Sequence, residues 1–300
     1  MKENVTATKS SRRRELKENL QGWGVVGPIL LYYGIFGIIP LAMVFRYSLF
    51  SQEDIFSPEV FVGLNNFKTF FTDKSYYGLL LTTLLIAVFT ITCSLVFGLL
   101  IAVAVTGPIK GKGFYRTVYY IPVVVSMGVV SQIVNVWLSY NNGTFNNILV
   151  WLHLDKIDWY KSTFWMYFWI IVICIWKGLG ATVILFIAGL NAVPPELYEA
   201  ADVDGANSVT KFFKITLPQL RPMFVFVMIT SIIGAFNVFE PVQLISEGGP
   251  DGSTKVVLFQ IYNESFQQGN FGMGSAISVI ILIILMILTM LNMKFGEEKE

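Results

Sequence analysis

The chain has 300 residues, 54% of them hydrophobic and only 14% charged, with a mean hydropathy of +0.63. A soluble domain carries nearer a quarter charged residues, so the composition excludes one. One histidine (His153) leaves little scope for a metal site, and two cysteines within apolar runs (Cys93, Cys174) read as small buried hydrophobes, not a disulfide framework.

Residues 1–21 are polar and basic, with Lys9, Arg12, Arg13, Arg14 and Lys17. The uncharged run 22–45 that follows is too long for a signal-peptide core and reads as a retained first span, with Pro28 and Pro40 kinking it or marking its ends. A mixed loop, 46–76, leads to a second span at 77–105, longer than a bilayer requires. The GPIKGKG stretch within 107–116 has the wrong spacing for a phosphate-binding loop, and no Ser or Thr follows the lysine. A third span is expected at 117–138, a fourth at 163–190, a fifth at 223–244 and a sixth at 271–293. The fold class is therefore all-α, a polytopic membrane protein of six transmembrane helices over 22–293, with a charged tail at 294–300.

Six spans put both termini on one side. That face, counting the termini and the 107–116 and 191–222 loops, holds fourteen Lys and Arg. The opposite loops (46–76, 139–162 and 246–270) hold six, and Lys177 lies inside the fourth span. Basic residues concentrate in cytoplasmic loops, so both termini and 191–222 are expected in the cytoplasm.

The 191–222 segment is a polar island between two spans, with four acids (Glu196, Glu199, Asp202, Asp204) beside Lys211, Lys214 and Arg221. Its local code reads helix, break, helix. Pro194 and Pro195 suit a helix start, where the first N–H groups lack partners, and Glu196 and Glu199 oppose the positive end of its dipole. Gly205 can turn the chain through positive φ, Asn207 or Ser208 can cap a second helix through Lys214, and Pro218 is expected to end it.

This island resembles the EAA loop of binding-protein-dependent ABC importer permeases. The matching residues are Glu199, Ala200, Ala201, Asp204, Gly205, Ala206, Phe212, Ile215, Leu217, Pro218 and Pro222. Trp176-Lys177-Gly178-Leu179-Gly180, the Gly248–Thr254 run and the Phe271-Gly272 approach to the sixth span look like the carbohydrate uptake branch, which contains the maltose importer. The maltose permease's extra N-terminal helices and large external domain are absent, so the chain looks more like the compact permeases for oligosaccharides or glycerol phosphate. The resemblance implies a type I importer permease of the bacterial plasma membrane with no catalytic residue of its own. It also implies coupling through Glu199, Ala200, Ala201, Asp204, Gly205, Ala206, Leu217 and Pro218. Implied partners are a second homologous permease, a cytoplasmic ATPase dimer carrying ATP and Mg²⁺, and an external solute-binding protein reaching the three outer loops. No nucleic acid, metal or cofactor is expected on this chain.

Polar groups within spans are costly unless they face a partner or a water-filled cavity, so each is a candidate for the pathway. Lys177 reads first as a structural lysine and second as a cavity cation. Asn237 and Glu240, three apart and flanked by Phe236 and Phe239 at the same spacing, would share a helical face suited to sugar rings and hydroxyls. Gln132 and Asn135 are weaker candidates, since amides commonly tie transmembrane helices together. A secondary transporter would need coupling-ion sites, and a membrane-embedded enzyme would need clustered acids or histidines. The sequence offers neither.

Overall fold

The computed structural model describes residues 21–24, 26–52, 56–107 and 110–297, the last three by backbone alone. The basic segment expected at 1–21 lies almost wholly outside them, as does the end of the tail. Four single helices are long and apolar enough to cross a bilayer. They are α1 (Val26–Tyr47), α3 (Lys74–Thr106), α7 (Thr163–Asn191) and α12, which begins at Phe271 and runs to Glu297. Counting each of two sharply bent pairs as one span brings the total to six.

Between α1 and α3 the chain makes a short antiparallel pairing, β1 (Phe50–Ser51) on β2 (Val60–Phe61), and helix α2 (Asn65–Thr72). The buried Asn66 amide ties α2 back, donating to Ser48 O at 3.0 Å and Phe50 O at 2.7 Å. Asp73 caps α3 by accepting from the Ser75 N–H at 2.8 Å, and the Ser75 donors hold its carboxyl below the usual range. The core sits where α3 and α7 pack together. Ala102, Val105, Val183, Phe186 and Ile187 interlock there with Val227 of α10 (Arg221–Phe236). A second cluster joins Ile86, Ile170 and Cys174 to Val238, Val242, Val256 and Phe259.

The third span departs from the continuous helix expected at 117–138. Helix α4 (Lys112–Val124) meets α5 (Met127–Leu138) at 90°. Pro122 lacks an N–H, and Val125 and Ser126 turn extended, with ψ of 139° and 132°. Helix α4 reaches α7 closely at Gly180, where an added Cβ would lie 2.2 Å from Tyr119 O. Only glycine fits that crossing.

The fifth span also departs from expectation. Helix α10 ends at Phe236, and a separate short turn forms over Val242–Ser246. Pro241 explains the break, because its ring excludes the bond that a continuous helix would direct to Asn237 O. Pro218 does not terminate the preceding helix at Lys214. Helix α9 (Ser208–Gln219) runs on through a π turn at Phe212–Thr216, then bends by 62° into α10. Beyond α5 lie α6 (Thr144–Trp151) and a 3₁₀ turn at Trp159–Lys161, and α11 (Val257–Tyr262) precedes α12.

Candidate functional site

The 191–222 loop closes on itself. Helix α8 (Pro195–Val203) starts at Pro195, as its sequence dictates. Gly205 (φ +74°) ends it in a left-handed cap: the Ala206 N–H donates to Ala201 O at 2.9 Å, and the Gly205 N–H to Asp202 O at 3.1 Å. These two bonds satisfy carbonyls that the helix end leaves open. Asn207 then caps α9, its Oδ1 accepting from the Thr210 N–H at 2.8 Å. Lys211 pairs with Asp202 across the turn, and the Tyr198 and Thr216 hydroxyls meet at 2.8 Å.

Asn207, Asp202, Lys211, Tyr198 and Thr216 thus serve the loop's own fold, whereas several apolar side chains stand outside. Val203 is 89% exposed, Val209 65% and Phe213 60%, on a segment otherwise rich in charge. Glu199, Ala200, Asp204 and Pro218 are exposed as well, while Ala201, Ala206 and Leu217 are half-buried. An added Cβ at Gly205 would meet nothing within 4 Å, so its backbone angle alone demands glycine there.

A second site lies deep in the bundle, a cavity of about 300 Å³ between α3, α7, α10 and the break after α10. Thr90, Ser94, Lys177, Thr182, Thr230, Ser231, Asn237 and Glu240 contribute its polar lining. A larger space of about 950 Å³ between α4 and α7 is almost wholly apolar, with Arg116 and Asn191 in its lining. Convergent polar groups in a concave setting mark a ligand path, so the smaller cavity is the candidate. Thr90 Oγ1 is buried there without a hydrogen-bond partner among the described residues.

Lys177 takes the structural role first. Its Nζ donates to Pro122 O at 3.0 Å and Val123 O at 2.9 Å, and also to Val125 O. These carbonyls are freed by the α4–α5 break, and a cation suits the negative end of α4. Lys177 therefore holds the bend while lining the cavity.

The expected shared helical face of Asn237 and Glu240 is corrected, because the helix stops between them. Both nevertheless line the cavity, brought there by the break itself. Asn237 Nδ2 donates to Ile233 O at 3.0 Å, and Glu240 is exposed. Phe236 packs with Ala87 and Ala235 in the core, and Phe239 stands against the Tyr262 ring at 5.1 Å, so neither aromatic lines the cavity. Asn135 ties helices together: Nδ2 donates to Leu244 O at 2.9 Å, and the Tyr160 hydroxyl donates to Asn135 O at 2.9 Å. Gln132 is exposed and lies outside the cavity lining. Sequence reasoning missed Thr90, Ser94, Thr182, Thr230 and Ser231. Their signal is small hydroxyl residues within long apolar runs. Among the described residues no group of three or more His, Cys, Asp or Glu converges to hold a metal.

Residues 60–295 match the family described as binding-protein-dependent transport system inner membrane component. The chain is 34% identical over 282 residues to the probable ABC transporter permease protein YesP of Bacillus subtilis (strain 168), covering 93% of this chain and 91% of that protein. It is 28% identical over 296 residues to the trehalose/maltose transport system permease protein MalF of Thermococcus litoralis, covering 99% and 98%. Its fold is similar to a chain in the crystal structure of the bacterial alginate ABC transporter bound to its alginate pentasaccharide-loaded periplasmic protein. There the TM-score is 0.81 at 22% identity, covering 95% and 96%. With 236 of its 300 residues inside the family match, this chain belongs to the binding-protein-dependent transport system inner membrane components, the multi-pass permeases of ABC importers.

Proposed function

We propose that this chain is one permease subunit of an importer for a sugar or oligosaccharide, driven by separate ATPase subunits that hold the ATP and Mg²⁺. The observation that carries the coupling role is the α8–α9 pair. It is braced by its own caps and ion pair, yet it leaves Val203, Val209 and Phe213 uncovered on a polar loop. Exposed apolar groups rimmed by charge suit a protein groove. ATP-driven closure of the ATPase dimer would move this rigid pair and, through the α9–α10 bend, the wall of the cavity. A second permease is supported by α1, where even the most apolar stretch of the span is unburied within this chain. The carbohydrate class rests on relatives such as the trehalose/maltose permease and on the hydroxyl, amide and carboxylate lining of the cavity. The fourteen-to-six charge asymmetry supports cytoplasmic termini in a bacterial plasma membrane.

The test is reconstitution of the purified complex in liposomes. Uptake of an oligosaccharide should require both ATP and the binding protein. Uptake driven by an ion gradient without ATP would make the chain a secondary transporter instead.

A further inference from the structure

The loop between α5 and α7 is braced from within yet carries a cluster of exposed apolar side chains. Inward, Phe145 of α6 stacks on Trp169 of α7 with ring centroids 4.6 Å apart and meets Trp137 of α5 at 5.8 Å. Asn146 is fully buried. Its Nδ2 donates to Tyr140 O at 3.2 Å and Ile157 O at 3.0 Å, and its Oδ1 accepts the Ile157 N–H at 3.0 Å. A left-handed His153 (φ +57°) closes the helix: the His153 N–H donates to Val150 O at 3.0 Å and the Leu154 N–H to Leu149 O at 2.8 Å. Outward, this braced unit presents Ile148, Trp151 (78% exposed), Leu152 and Leu154.

Both lysines of the same loop are engaged within it, while Asp155 stands exposed beside Leu154. Lys156 Nζ donates to Asn141 O at 3.4 Å and stands over the Tyr140 ring, and Lys161 pairs with Asp158 at 2.9 Å. The apolar surface also continues into the flanking spans. Trp137, in ring contact with α6, is exposed at the end of α5, and Phe164 and Phe168 are exposed at the start of α7. Exposed apolar faces on membrane spans suit lipid, and tryptophans gather where the hydrocarbon gives way to headgroups.

We propose that residues 144–154 form a membrane-interface element that rests on the outer leaflet, with Trp151 as its anchor and phospholipid as its partner. A site for reversible protein docking carries a polar rim, whereas Trp151 is flanked by exposed Val150 and Leu152 and its surface runs on into the apolar faces of both flanking spans. The outer loops at 46–76 and 246–270 then remain for the solute-binding protein, so the expectation that all three outer loops serve it narrows to two. Seating the α5–α7 loop in the interface fixes the outer ends of both helices, one of which carries Lys177 and the other half of the bent span.

The experiment uses the assembled importer in lipid nanodiscs. Nitroxides are placed at Trp151→Cys, Leu154→Cys and, as a water-facing control, Asn142→Cys, with the unsubstituted protein's labelling subtracted. Collision rates are read against oxygen, which enters the bilayer, and against a water-soluble nickel chelate. The oxygen-to-nickel ratio should be several-fold higher at 151 and 154 than at 142, and unchanged when the binding protein is added. A ratio at 151 equal to that at 142, low collision with both reagents, or loss of access on adding the binding protein would each overturn the proposal, indicating respectively water, another subunit or a docking surface. A second variant guards against perturbation by the label. The fluorescence that Trp151→Phe removes should be quenched by lipids brominated near the headgroup and spared by aqueous iodide. The reverse pattern would overturn the proposal as well.

Discussion

The 191–222 loop and the fifth span follow different rules. The helix ends of the loop are set locally: Pro195 starts α8 with no N–H to leave open, and Gly205 ends it and Asn207 caps α9 through bonds to residues a few positions away. The fifth span obeys the bundle instead. Its apolar length suggests one helix, but the chain breaks after Phe236 and thereby carries Asn237 and Glu240 to the cavity wall. The loop can be read residue by residue, whereas the cavity exists only once four segments meet. The difference teaches that the loop is written locally in this chain and the cavity is written by assembly.

The largest expected effect separates core from path within that one span. Phe236→Ala removes a buried ring packed on Ala87 and Ala235, and should cost about 3–5 kcal/mol of stability. A marked fall in the Tm of the solubilised complex would place Phe236 in the core. An unchanged Tm with altered transport would return it to the pathway.

Next comes Lys177→Met, which leaves the carbonyls of Pro122, Val123 and Val125 without their donor, at about 1–3 kcal/mol. Lys177→Arg should recover part of the lost Tm, since a cation remains. If Lys177→Met keeps wild-type Tm and merely changes substrate preference, the lysine serves the solute and not the bend.

Gly205→Val should lower stability by about 1–3 kcal/mol through its positive φ. Gly205→Asn should be nearly silent, because asparagine tolerates that conformation and the space beyond Cα is open. Valine is expected to abolish ATP-coupled uptake while the spans remain inserted. Equal loss in both variants would point to contact with a partner, and not backbone angle, as the reason for glycine.

The smallest structural effect belongs to Glu240→Gln, an exposed cavity-wall substitution expected to change stability by less than about 0.5 kcal/mol. Uptake or saccharide preference should shift while expression and basal ATPase activity persist. Unaltered transport would remove Glu240 from the path.

Much of the architecture is legible in the sequence because bilayer thickness converts apolar length into spans. The α1, α3, α7 and α12 boundaries fall within a few residues of the uncharged runs. The Gly205 turn and Asn207 cap are legible for the local reasons given above. The two bent spans are not legible from hydropathy, which averages across a break. Pro122 and Pro241 were the available signals, and each breaks its helix only because other segments accept the consequence. Lys177 on α7 satisfies the carbonyls freed beside Pro122, and no spacing rule connects residues 54 positions apart. Thr90, Ser94 and Thr182 escape notice for the same reason, since a single hydroxyl in an apolar run becomes a site only when its neighbours converge.

The most direct test of the account asks what Val203 touches. A photo-crosslinking amino acid at this 89% exposed position, in the assembled complex within membranes, reports the loop's partner without disturbing its caps. The account predicts a covalent adduct with the cytoplasmic ATPase subunit whose yield changes between ATP-bound and nucleotide-free states. An adduct with the external binding protein, or none with the ATPase under either condition, would contradict it.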